Sequence, residues 1–163
     1  MGMGGREVRR GPEYGDIFDH FAVEYEYPNG VRALSMCRQI EGTHYRVAER
    51  LVGTRGVAFL DHGGGSIVGE KPFKPGPSPN PYVVEHADLV ASIRSGDPLD
   101  EGRQVAESTL TAIMGRMSAY TGRALKRDWV LKASRLDLTP PAYSLEGELP
   151  VGPVPVPGKT PLV

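Results

Sequence analysis

The residues whose types could do chemistry here are four histidines, one cysteine, the tripeptide Glu70-Lys71-Pro72 and the run Gly63-Gly64-Gly65. His20, His44, His62 and His86 have no spacing of the His-Glu-x-x-His kind, so no metal site is assigned. Cys37 stands alone, which rules out an intrachain disulfide, and on a strand it lacks the helix N-terminus that would activate a thiol. A dehydrogenase lysine in a Glu-Lys-Pro motif sits at the end of a parallel strand; Lys71 follows a short hairpin strand and reads as a surface residue. A phosphate loop needs backbone N–H groups at a helix N-terminus, whereas Gly63-Gly64-Gly65 lies between strand candidates and reads as a turn. Met1-Gly-Met-Gly-Gly5 misses the dinucleotide fingerprint, with Glu7 in place of the third glycine. No catalytic, cofactor-binding or metal residue is therefore assigned. What remains is His20, near a strand start, beside Gln39 and Arg38, where a polyol could be hydrogen-bonded. His20, Arg38 and Arg6 make up the candidate substrate-binding set. The alternative for His20 is an edge or interface histidine. His86 shares a face with apolar residues and is expected to be a core or interface histidine, while His62 is expected to be solvated.

The elements that must position these residues begin with a β-hairpin over Phe18 to Ile40. Phe21, Val23, Tyr25 and Tyr27 alternate with His20, Ala22, Glu24 and Glu26. Asn29-Gly30 is the preferred pair for a two-residue type I′ turn. That turn would set Tyr25 opposite Leu34, Val23 opposite Met36 and His20 opposite Gln39. One face would be strongly apolar, and the other would carry His20, Glu24, Ser35, Cys37 and Gln39. Further strands are expected over Tyr45–Val52, Val57–Leu60 and Ser66–Glu70, five in all, joined by hairpins into one antiparallel sheet. Pro72 to Pro81 holds five prolines and reads as an extended surface connection, since proline gives no ladder hydrogen bond. Helices are expected over Tyr82–Arg94, with Leu89, Val90 and Ile93 on one face, and from an Asp100 N-cap to Tyr120, ended by Gly122. On the second, Val105, Thr109, Ala112, Ile113, Met117 and Tyr120 form the apolar stripe. One or two helical turns around Asp128–Ala133 would turn Trp129 inward.

Strands followed by helices predict an α+β fold, an open-faced antiparallel sheet with helices on one face only. The uncovered face is a candidate for subunit contact. One domain is expected over 1–138 and an extended, proline-rich tail over 139–163.

Bulk properties narrow the partners. Nineteen Lys plus Arg against twenty Asp plus Glu leave a formal charge of −1, which favours neither nucleic acid nor an anionic membrane surface. No run approaches the roughly 18 apolar residues of a membrane span. The first residues lack the apolar core of a signal peptide, so the cytoplasm is the default compartment.

Several stretches carry a family resemblance: Asp19 to Val31, Ser35 to Gln39, Val52 to Gly56 and Asn80 to Leu89. The most specific is Val105-Ala-Glu-Ser-Thr-Leu-Thr-Ala-Ile-Met-Gly-Arg-Met-Ser-Ala-Tyr-Thr-Gly122, and the tail, through Leu136 to Pro141 and Val156 to Thr160, agrees with it. Together they resemble the C-terminal domain of the Gfo/Idh/MocA oxidoreductases, in particular a planctomycete-like branch. The resemblance implies a dihydrodipicolinate-reductase-like C-terminal domain that walls the pocket for a sugar, polyol or related hydroxy compound. It also implies homo-oligomers formed through the open sheet face. NAD or NADP would be bound by a separate Rossmann domain, absent from this chain, so no cofactor is assigned here. The family's glycine fingerprint, catalytic lysine and Asp/His pair would lie upstream of Gly4-Gly5-Arg6, and the chain alone is expected to be inactive. Export of the parent is left open. The alternatives are a non-enzymatic sugar-binding or scaffold module, or a truncated gene product.

Overall fold

In the computed structural model of the chain, the structure describes residues 1–140, 142–143 and 151–163. Its strands are β1 (Gly2–Gly5), β2 (His20–Glu26), β3 (Arg32–Arg38), β4 (Ala48–Gly53), β5 (Gly56–Asp61) and β6 (Gly64–Gly69). Its helices are α1 (Pro81–Ser95), α2 (Gly102–Thr121) and α3 (Arg127–Ala133). The fold is α+β, and every strand pair is antiparallel. The expected single sheet is corrected: two three-stranded sheets form, ordered β1-β2-β3 and β4-β5-β6. They fall in separate compact units, Met1–Gly42 with Gly102–Val163, and Thr43–Glu101.

In the first unit the hairpin turns one residue differently from the expected register. Tyr27 N donates to Val31 O and Gly30 N donates to Tyr27 O, both at 2.9 Å, so the loop is Pro28-Asn29-Gly30. Pro28 suits the first central position of a type I turn, and Gly30, at φ 79°, takes the left-handed position that completes a three-residue loop. Tyr25 therefore pairs with Ala33, Val23 with Ser35, Phe21 with Cys37 and His20 with Arg38. A one-residue slip carries a strand's side chains to the other face. Leu34 and Met36 consequently share a face with His20, Ala22 and Glu24, while Ser35 and Cys37 join Phe21 and Val23.

β1 was not foreseen, because Gly-Met-Gly-Gly has neither strand propensity nor alternation. It adds to β2 with Gly2 opposite Val23 and Gly5 opposite His20, and α2 packs against β1 and β2. Helix and strand backbones meet closely there. A Cβ on Gly2 would lie 2.9 Å from Gly115 O and 3.0 Å from Ala119 N, and Ser118 Oγ accepts from Gly2 N at 2.7 Å. The buried part of α2 is thus Gly115, Met117, Ser118, Ala119 and Thr121. The expected stripe was larger: Val105 is exposed, as are Thr109 and Ala112, because a glycine strand seats against small helical residues. Phe18, Phe21 and Tyr120 close the core, with Phe18 and Tyr120 edge to face at 4.6 Å. In α3 the buried residue is Val130 rather than Trp129, which is half-buried. The buried apolar residues among those described, Phe18, Val23, Met117, Ala119 and Val130, all belong to this unit.

In the second unit β4-β5-β6 carries Leu51–Ala58–Ile67 across one face and Val52–Val57–Val68 across the other. Phe73 bridges Ile67 in both directions, at 2.8 and 3.0 Å, so the proline stretch does supply one ladder contact. Asn80 caps α1 by accepting from Tyr82 N at 3.0 Å, Pro81 occupies its first turn, and Gly96 ends it in the left-handed conformation. No residue of α1 is buried, so the face of Leu89, Val90 and Ile93 covers no sheet within the unit. Among the described residues, no helix is long and apolar enough to cross a membrane.

Candidate functional site

The site is built where β1, β2 and the loop between them meet. Asp19 precedes β2 and is buried, its side chain wholly shielded from solvent. Its Oδ2 accepts the backbone N–H of Glu7, Val8 and Arg9 at 2.8, 2.7 and 3.0 Å. Its Oδ1 meets His20 Nδ1 at 2.8 Å. Burial by itself would raise the carboxyl's pKa; the Arg9 N–H, the His20 ring and the Val8 and Glu7 N–H groups outweigh it and hold the group well below the usual carboxylate range. The carboxylate can only accept, so Nδ1 carries the proton shared with it. In the neutral ring this arrangement leaves the lone pair on Nε2. The side chain remains 42% exposed, and Nε2 has no hydrogen-bond partner among the described residues.

Of the three sequence candidates, His20 and Arg38 stand directly opposite each other on β2 and β3. The expected neighbour Gln39 is one position off that pairing, again because the hairpin loop is a residue longer; its N–H donates to Asp19 O at 2.8 Å. Arg6 lies next to this row but turns its guanidinium into the loop, donating to Arg9 O, to Gly15 O at 2.7 Å and to Gly11 O at 2.8 Å. Its donors are used to close residues 6–15 on themselves. Arg9 reaches Gln39 O at 3.3 Å. Asp19 is the residue that sequence reasoning missed. The adjacent Asp-His pair at a strand start was the available signal, but only the fold brings three loop N–H groups around its carboxylate.

The other chemistry-bearing residues are dispersed. Lys71 is exposed, two residues past the end of β6. His62 is exposed at the β5–β6 turn. His86 is also exposed and bonds Tyr82 O at 2.7 Å within its own helix, so it is not a core histidine. Cys37 is exposed.

Opposite α2, the face of the first sheet that no described helix covers consists of the row Gly5–His20–Arg38, the row Met3–Ala22–Met36 and, beyond them, Glu24–Leu34 with Met1. Met1, Met3, Leu34 and Met36 are 64%, 66%, 66% and 72% exposed. This face was expected to be small and weakly polar; the register shift makes it methionine-rich. At its far end Arg32 meets Glu24 at 3.0 Å and Glu26 at 3.7 Å. No family model, curated protein or solved structure matches the chain.

Proposed function

We propose that this chain is the substrate-side and oligomerisation domain of an NAD(P)-dependent oxidoreductase of the Gfo/Idh/MocA type, acting on a sugar, polyol or related hydroxy compound. The open sheet of the first unit corresponds in this reading to part of the dihydrodipicolinate-reductase-like domain that the sequence resemblance implies. The observation that carries the reading is a sheet covered by α2 on one face and, among the described residues, open on the other, with His20 and Arg38 paired at the edge of a methionine-rich surface. A polar pair beside an apolar patch suits a pocket wall bordering a subunit contact. A nicotinamide dinucleotide binds at the carboxyl ends of parallel strands, and every described strand pair here is antiparallel. The nucleotide half is accordingly assigned to a separate Rossmann domain, and the redox chemistry to the full assembly.

Isothermal calorimetry of the chain with NAD and NADP tests this division of labour. No heat of binding is expected up to millimolar nucleotide. Micromolar binding would place a nucleotide site within these residues and overturn the proposal.

A further inference from the structure

The buried Asp19 carboxylate has a more specific consequence for what the open face can recognise. Its Oδ2 is saturated by three backbone N–H groups, which leaves Oδ1 for His20. A buried, fully hydrogen-bonded carboxylate that orients an imidazole with its far nitrogen facing outward is the arrangement by which enzymes fix a histidine's tautomer. The ring also lies over the β1 backbone: a Cβ on Gly5 would stand 3.1 Å from Cε1 and 3.2 Å from Nε2. The imidazole is held by Asp19 at Nδ1 and lies against the β1 backbone, while its side chain stays part-exposed and Nε2 has no partner among the described residues.

We propose that Asp19 and His20 form a recognition dyad in which the imidazole, protonated on Nδ1, presents its Nε2 lone pair as the acceptor for a hydroxyl of a polyhydroxy ligand at the edge of the open sheet face. The inference rests on the substrate-wall reading above for its choice of a hydroxyl compound, but the tautomer follows from the hydrogen bonds alone. The ligand O–H donates to Nε2, beside Arg38, which stands opposite His20 on β3. The charged groups around the ring are Asp19 beneath it, Arg6 and Arg9 from the loop, both committed to backbone carbonyls, Glu7 paired with Arg10 at 3.1 Å, and Arg38 from β3. Protonation of Nε2 removes the acceptor, so recognition is lost in acid.

The test is a long-range ¹H–¹⁵N spectrum of the histidines in the intact chain at neutral pH, titrated with sorbitol. His20 is expected as the Nδ1–H tautomer, with its Nε2 resonance moving saturably as sorbitol is added and ceasing to move once the ring is protonated. His20→Asn places an amide nitrogen where Nδ1 was, keeping the bond to Asp19 while deleting the outer acceptor. It should keep the wild-type unfolding midpoint and weaken sorbitol binding, read on the Gly5 and Arg38 amides, by about tenfold. In Asp19→Asn the amide oxygen must face the three loop N–H groups, so its NH₂ faces His20 and drives the ring to the Nε2–H tautomer. An Nε2–H tautomer in the wild type, an unmoved Nε2 resonance, or undiminished sorbitol binding by His20→Asn would each overturn the dyad, even with the nucleotide calorimetry as expected. Conversely, nucleotide binding by the chain would sink the domain assignment and leave the dyad standing.

Discussion

Asp19 ties the loop of residues 7–9 to the start of β2 through four hydrogen bonds, and its ionisation links the stability of the first unit to pH. Its folded-state pKa is depressed below the ordinary value of 3.8, so its contribution is fully present above that value. It is lost as the pH falls through the unfolded and then the folded pKa. The melting temperature of the wild type should therefore drop steeply below about pH 4, followed by near-ultraviolet circular dichroism. Asp19→Ala should flatten that acid limb. It should also lower stability at neutral pH by about 2–4 kcal/mol, since three loop N–H groups lose their acceptor. An unchanged acid limb in Asp19→Ala would mean that other carboxylates control it.

At the scale of elements, the seating of α2 on β1 sets two effects against each other at Gly115. In an ordinary helix interior, Gly→Ala gains up to about 1 kcal/mol of helix propensity. Here the new methyl would collide with the Tyr25 hydroxyl and lie 3.3 Å from Val23 Cγ1. The Tyr25 hydroxyl donates to Thr111 O at 3.1 Å, and burial pushes its phenol pKa up. Displacing it costs that hydrogen bond and overpacks the strand, about 1–3 kcal/mol. Gly115→Ala is therefore expected to destabilise by about 1–2 kcal/mol net in urea unfolding; a stabilised variant would show that Tyr25 and β2 can shift away from the helix. The helix itself was legible in sequence, because Gly122 and three- and four-residue apolar spacing mark its end and its face. Which of its residues are buried was not, because that depended on a glycine strand with no sequence signature.

Across the whole chain, two predictions concern what lies outside the first unit's small core. The proposed subunit contact uses the methionine-rich face, so Leu34→Glu with Met36→Glu should shift the chain toward monomer in sedimentation velocity. Far-ultraviolet circular dichroism should stay the same, since both side chains are already exposed. A wild type that is monomeric at every concentration would remove this contact. The tail reads in sequence as extended and without a core. Its described part nonetheless caps α2: Gly158 N donates to Thr121 O at 2.9 Å, within a turn in which Lys159 N and Thr160 N both reach Val156 O. Ser134 Oγ donates to Val163 O at 2.8 Å. Removing residues 151–163 should cost the first unit about 1–2 kcal/mol, since the α2 terminus loses its partner, read as a lower thermal midpoint.

The sequence by itself determined the α+β class, the hairpin and its approximate turn, both long helices with their glycine stops, and the failure of every nucleotide-loop motif. All of these are written in local spacing or in single residues such as Asn29, Gly30 and Gly122, whose backbone preferences act over a few positions. Only the tertiary structure decided that Pro28 lengthens the loop by one residue, that Gly2–Gly5 becomes a strand, that the sheet divides in two, and that His20 is paired with Arg38 and backed by Asp19. Those outcomes depend on hydrogen bonds and close approaches between residues far apart in the chain. A one-residue change in register, invisible to periodicity, is enough to decide which side chains share the open face.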